Sequence, residues 1–290
     1  MQEHPLRSAL PLILGAGLCF STLDATAKYL VQEHTLFLVV WARYAGQMVV
    51  STPIAWQRLG PGFWRTQHLG VQLVRSACLV TATLCFFGAL RYLPLAEGTA
   101  ISFMAPMFAV LLSRPVLGER PTRARWISVI GGFIGIVILV RPGSAVFHPA
   151  TGLLVLAALS NALYQLLTRR VPKDSAHTTL FFSGLVGATA LSLLLPFAEV
   201  PAQATFRDAL FMLLLGLLAG LGHGMLIGAF LRAPASLVAP FTYVHMLWAT
   251  FWGWLVFGQL PDAVSALGMA IIVASGVGLV LHERRGVVGR

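Results

Sequence analysis

Charge is what this chain has least of. Asp, Glu, Lys and Arg make up 10% of its 290 residues, against about a quarter in an ordinary soluble domain. With 57% hydrophobic residues and a mean hydropathy of +0.81, that shortage excludes a water-soluble globular fold. Lysine is scarcer still: Lys28 and Lys173 stand against 18 arginines, and Asn161 is the single asparagine. This is the bias of a GC-rich bacterial genome. Cysteine is limited to Cys19, Cys78 and Cys85, all within apolar runs and without metal-ligand spacing. They read as small buried hydrophobes, not as a disulfide framework or a metal centre. Catalytic signatures are missing too: there is no H-E-x-x-H, no Walker loop and no G-x-S-x-G followed by a triad. None of the eight histidines pairs with a carboxylate or cysteine at metal spacing. The expectation is a protein with no catalytic residue, metal or cofactor, and one that does not drive transport with ATP on its own.

What the chain does have is ten apolar stretches of membrane-crossing length. They run approximately over Ser8–Leu30, Leu36–Gln57, Val71–Leu90, Pro94–Val116, Arg125–Val140, Pro149–Thr168, His177–Pro196, Phe206–Leu231, Pro234–Phe257 and Ala263–His282. The run Leu10–Phe20 followed by Ala25-Thr26-Ala27 has the outline of a signal peptide, but it continues past Asp24 and reads as an uncleaved first span. The connections are too short for a separate soluble domain. The net charge of +10 predicts no nucleic-acid partner, because the basic residues sit in short loops where they anchor the chain to the bilayer.

Ten spans put both termini on one side. If that side is the cytoplasm, fifteen basic residues fall inside, among them Arg7, Arg58, Arg65, the Arg114–Arg125 cluster, Arg169, Arg170, Arg232 and Arg284. Only Lys28, Arg91, Arg141 and Arg207 fall outside. By the positive-inside bias both termini are cytoplasmic, in a bacterial inner membrane.

The chain also repeats itself. At an offset of 140 residues Pro94 falls on Pro234, Phe103 on Tyr243, Phe108 on Trp248, Gly118 on Gly258 and Pro121 on Pro261. Gly88-Ala89 matches Gly228-Ala229, and Val137, Leu139 and Val140 match Val277, Leu279 and Val280. The loop after the first copy of the matched span, Gly118-Glu119-Arg120-Pro121-Thr122-Arg123-Ala124-Arg125, is basic. Its counterpart, Gly258-Gln259-Leu260-Pro261-Asp262-Ala263-Val264-Ser265, has no arginine. One copy therefore turns inside and the other outside. Five spans per half, an odd number, require the same. The predicted fold is an all-α membrane protein of ten transmembrane helices in two inverted five-helix repeats, residues 1–142 and 143–290. A substrate site is expected between the halves near the midplane. Small-residue stripes (Gly216, Gly220, Gly224 and Gly228; Gly131 and Gly135; Ala270, Ala274 and Gly278) are expected to be helix-packing faces.

Two groups of residues are functional candidates. Asp24, Lys28, Arg43 and Glu97 are ionisable groups at membrane depth. Asp24 and Lys28, spaced i,i+4, are expected to pair. The four form a structural ion-pair set, gate the outer mouth, or carry protons as a coupling ion at Asp24 or Glu97. Their mirror positions Gln165 and Leu237 are uncharged. Candidates for the cavity wall are Ser21 and Thr22 in the first span and Asn161, Tyr164 and Gln165 in the sixth. His223 joins them in the eighth, and Thr242, Tyr243, His245 and Trp248 in the ninth. Rings with a few hydrogen-bonding groups suit a small amphipathic solute. Packing is the competing role for the tryptophans and for His223.

Pro106-x-Phe108 through Leu117-Gly118-Glu119, then Trp126 and Gly131 to Gly135, resembles the EamA-type repeat of the drug/metabolite transporter superfamily. Lys28 and Arg43 fit the same pattern. Ala233-Pro234-Ala235-Ser236-Leu237-Val238-Ala239-Pro240 and Leu255-Val256-Phe257-Gly258 look like its second copy. The resemblance covers essentially the whole chain. It implies ten helices, cytoplasmic termini, a central cavity, and a secondary transporter that, like YddG-type exporters, exports amino acids, including aromatic ones, by alternating access. Other members handle purines, drugs or nucleotide-linked sugars, and some import riboflavin, so a vitamin importer is the alternative. A scaffold or channel is the alternative of another class. The implied partners are a small-molecule substrate and the lipid bilayer, with the chain a monomer or homodimer. Phe20-Ser21-Thr22-Leu23 departs from the Trp-Gly-Ser-Asn common in the first helix, and Gln259 stands where a glutamate is usual.

Overall fold

A computed structural model describes residues 5–171, 173–197, 205–234 and 238–288. Ala235–Leu237 lie outside them, and with them the mirror position Leu237. The described residues are nearly all helical, with no strand: α1 Pro5–Glu33, α2 Leu36–Leu59, α3 Leu69–Leu90, α4 Leu95–Ser102, α5 Ala105–Leu117, α6 Arg123–Leu139, α7 Thr151–Thr168, α8 Ala176–Leu194, α9 Phe206–Arg232, α10 Val244–Phe257 and α11 Ala263–Val288. A 3-10 turn over Ala239–Tyr243 leads into α10. Among these, seven helical stretches are long and apolar enough to cross a membrane, counting α4 and α5 as one. The three other expected spans fall short for local reasons. Arg43 and Gln47 dilute α2, α6 has 17 residues, and α10 is shortened by its 3-10 entry.

The span expected over Pro94–Val116 is broken at Phe103-Met104. Pro106 has no N–H to give the Ser102 carbonyl and cannot continue α4. The chain bridges the gap with tighter i→i−3 bonds, Phe103 N to Ala100 O at 3.1 Å and Met104 N to Ile101 O at 2.9 Å. The second repeat breaks at the equivalent place, where Pro240 sits in the 3-10 turn. Backbone of this kind is tolerated at membrane depth where it is buried in protein or lines a cavity.

The packing partners are unchanged when the halves are exchanged. α1 lies on α9 as α7 lies on α3, α2 on α9 as α8 on α3, and α1 on α10 as α7 on α5. The equivalent helices α6 and α11 pack on each other antiparallel: Gly135 faces Gly268 and Ile272, while Ser128 and Gly131 face Ser275. α4 meets the second repeat the same way, with Phe103 on Tyr243 and Leu95 beside Gly253. Equivalent helices running in opposite directions make the repeat inverted. The left-handed glycines that end α5 and α10, Gly118 (φ 75°) and Gly258 (φ 64°), therefore lie at opposite ends of the bundle.

Glycine sets the closest approach. Gly46 of α2 and Gly216 of α9 cross so tightly that a Cβ built on Gly216 would fall 2.3 Å from the Gly46 Cα. Gly220 and Gly228 also face side chains, of Val50 and Leu12, but Gly224 faces open space. The stripe Ala270-Ala274-Gly278 is not a packing face. It lies on the exposed side of α11, and Gly268 and Ile272, more than a third of a turn away, make the contact. Exposed Ile127, Ile130, Phe133 and Val137 give α6 an apolar outer surface suited to lipid.

Candidate functional site

Between the two repeats lies a cavity of about 740 Å³. From α1 it takes Ile13, Ala16, Gly17, Phe20, Leu23 and Asp24, the i, i+3, i+4, i+7 face of one helix. α3 supplies Leu79, Thr83, Phe86 and Phe87, and the break between α4 and α5 supplies Ser102, Phe103 and Pro106. Asn161, Tyr164 and Gln165 come from α7, His223 from α9, Thr242 and Tyr243 from the 3-10 turn, His245 from α10, and Ser275 and Gly276 from α11.

The cavity lies toward the end of the bundle where α1 begins and α11 ends. α1 and α10 run parallel, since Gly17 packs on Val244 and Lys28 on Phe257. The wall stops at Asp24 on α1 and at His245 on α10. Beyond that level the opposite end is tied shut. Lys28 Nζ donates to the carbonyls of Leu90 (2.9 Å) and Leu93, capping the end of α3, and Tyr29 meets Phe211 edge to face. Asp208 pairs with His34 at 3.4 Å and closes a capping box with Thr205 at the start of α9. Arg141 pairs with Asp262 at 2.8 Å.

Three expected wall residues are elsewhere. Ser21, fully buried, donates its hydroxyl to the Leu18 carbonyl, and Thr22 faces away from the cavity; one residue of helix turns a side chain 100° off the Phe20–Asp24 face. Trp248 sits one turn beyond the closed end of the cavity, edge to face with Phe251. Of the ionisable set, Asp24 and Arg43 line the wall, whereas Lys28 and Glu97 are buried off it. The expected Asp24–Lys28 pair does not form. Lys28 has gone to the α3 carbonyls, and Asp24 Oδ2 accepts from His245 Nε2 at 3.0 Å, a bond between the two repeats. The four groups make no ion pair with one another.

The rings are held by specific contacts. His223 Nδ1 lies 2.8 Å from the Ala219 carbonyl. A carbonyl only accepts, so Nδ1 carries a proton and donates it to this bond. Phe20 stands between the two histidines, 5.0 Å from the His223 ring and 6.4 Å from that of His245. Tyr164 is braced from behind by Arg75, whose guanidinium lies over its ring at 4.6 Å and bonds Thr168, Gln72 and the Thr179 carbonyl. Gln165 reaches Asn161 at 3.4 Å. Among the described residues the wall thus combines aromatic faces with amide, hydroxyl and imidazole groups, the Asp24 carboxylate and the Arg43 guanidinium. Phe20, Phe86, Phe87, Phe103 and Thr83 escaped the sequence reading. For Phe103 the signal was present, because it falls on Tyr243 in the repeat.

A model of the EamA-like transporter family matches residues 7–141 and again residues 149–281. The chain belongs to the EamA-like transporter family. This EamA-like chain is 32% identical over 281 residues to a riboflavin transporter of Vibrio cholerae, covering 95% of this chain and 93% of the relative. It is 28% identical over 282 residues to the pseudopaline exporter CntI of Pseudomonas aeruginosa (94% and 96% covered). It is 26% identical over 269 residues to an S-adenosylmethionine uptake transporter of Rickettsia bellii (90% and 89% covered). A crystal structure of a protein 21% identical superposes with a TM-score of 0.70 over 96% of this chain and 99% of the other, a likeness of fold. The EamA-like chain is a multi-pass membrane transporter.

Proposed function

We propose that this protein is a secondary transporter of polar metabolites that carry a planar ring, working by alternating access across the bacterial inner membrane. The observation that carries this reading is the cavity at the junction of two inverted repeats, walled by Phe20, Phe103, Tyr164 and Tyr243 with Asn161, Gln165, His223 and His245 among them. Its volume of about 740 Å³ falls in the range of roughly 300–1,000 Å³ usual for drug-sized ligands. That size favours a heteroaromatic metabolite such as riboflavin, and the likeness to riboflavin transporters supports it. A second reading, export of amino acids including aromatic ones, is favoured by Arg43 and Asp24, which give the same wall a guanidinium and a carboxylate for a zwitterion. The relatives carry names of uptake and of export, so gradients, not fold, set the direction.

The loop charges support a cytoplasmic side for the end of the bundle where α1 begins and α11 ends, and on that reading the cavity, lying toward that end, belongs to an inward-facing state. A bundle that encloses its own cavity works as a monomer, and a homodimer would add no wall. Asp24 with His245 is the candidate site for a coupling proton. Counterflow in proteoliposomes, with labelled riboflavin in one arm and labelled tryptophan in the other, tests the reading. Saturable, trans-stimulated flux of either supports a carrier and names its class. Linear flux indicates a pore, and no flux of any metabolite leaves a scaffold.

A further inference from the structure

Among the described residues, the buried cation of the cavity wall has no carboxylate partner. Arg43 is 6% exposed and lines the cavity, with its guanidinium over the Tyr44 ring at 4.5 Å. Its Nη1 is buried and lacks a hydrogen-bond partner, and no carboxylate of the described residues lies within ion-pair distance of it. Other arginines of the bundle are matched: Arg75 by Thr168, Gln72 and the Thr179 carbonyl, Arg141 by Asp262, Arg169 by Glu119. The carboxylate that shares the wall with Arg43, Asp24, is taken by His245. A charge removed from water and left unpaired is costly, and at membrane depth such a group marks a functional site. Its planar fork of N–H donors matches the two oxygens of a carboxylate.

We propose that Arg43 receives a carboxylate carried by the transported solute, so that the cargo is an anion or zwitterion whose ring lies against the aromatic wall. This rests on the carrier reading and narrows it to carboxylated cargo, which favours the amino-acid reading over riboflavin, a ring compound with no carboxylate. The arginine gives such a solute a partner that a neutral ring compound lacks, and the solute's carboxylate supplies an acceptor for the buried Nη1.

The probe is benzoate, the smallest solute with a ring and a carboxylate, compared with benzyl alcohol, which has the ring alone. Thermal stability of the purified full-length protein in detergent is followed as each is titrated. Benzoate is expected to stabilise the wild type and benzyl alcohol is not. Arg43→Gln is expected to weaken the benzoate response about tenfold or more, the worth of charge-assisted hydrogen bonds. Arg43→Lys keeps the charge and so the fold, but loses the fork and with it most of the response. Equal stabilisation by benzoate and benzyl alcohol, no response to benzoate, or a response that survives in both variants overturns the assignment. Counterflow of riboflavin and tryptophan by the wild type is read separately. Flux without an Arg43-dependent benzoate response sinks this inference alone, and the response without flux sinks the carrier reading alone.

Discussion

Phe103 and Tyr243, counterparts in the two repeats, stack on each other with 4.7 Å between ring centroids and 21° between planes. Two equivalent residues can touch only near the axis that relates the halves, so this pair marks the pseudo-two-fold axis and puts it through the cavity wall. The hydroxyl of Tyr243 lies over Gly276, where a Cβ would fall 1.6 Å away. Gly276→Ala must therefore push the ring out of the stack. Such a stack contributes about 0.5–1.5 kcal/mol, roughly a 2- to 12-fold change in affinity. Gly276→Ala and Tyr243→Ala are each expected to lower substrate affinity by about that factor, and the double variant to be no worse than either single one. Independent, additive losses would dissociate the glycine from the ring.

Asp24 is joined to His245 across the repeats and faces the cavity beside Phe20, Arg43 and His223. Asn in its place keeps the size and loses the charge. Asp24→Asn is expected to abolish the acceleration of flux by an imposed pH gradient, while counterflow at equal pH, which moves no net proton, persists. Glu97→Gln, off the wall, is expected to keep the gradient response. A gradient response that survives in Asp24→Asn rules the coupling role out.

The crossing of α2 and α9 predicts a sharp difference between two glycines of one stripe. Gly216→Ala drives a Cβ into the Gly46 backbone, whereas Gly224→Ala meets nothing within 4 Å. Overpacking of this kind costs about 1–3 kcal/mol, and more where backbone must move. Folded yield and melting temperature in detergent should fall for Gly216→Ala and hold for Gly224→Ala.

Asp262 lies in the turn before α11. The Ser265 N–H, bonded at 2.7 Å, and the Arg141 guanidinium hold its carboxyl below the usual carboxylate range. A depressed folded pKa stabilises the protein above the unfolded value, about 3.9, and the benefit is lost as pH falls through the folded value. Asp262→Ala is expected to melt below the wild type at pH 7, with the gap closing under acid. A gap that stays constant down to the acid limit would separate the effect from ionisation.

The inverted plan was legible because its marks are local: prolines that start a span, glycines that end one, and a loop that keeps or loses its arginines. The break at Phe103-Met104 was less so, since the residues stay apolar through it and only Pro106 hints at it. Asp24 shows where local reasoning fails. Spacing offered Lys28 four residues on, but the partner is His245, 221 residues away, and helix periodicity carries no information about a contact made by tertiary packing. Ser21 and Thr22 misled for a related reason. Their polarity suggested the wall, yet Phe20 and Asp24 fixed which side of α1 faces it.

The charged groups of the cavity wall, Asp24 and Arg43, and the buried Lys28 and Glu97 off it all belong to the first half. Turning the molecule inside out does not return the same molecule. On the alternating-access reading proposed above, the two faces are built from unlike chemistry, and one posture is expected to outlast the other when no solute is aboard.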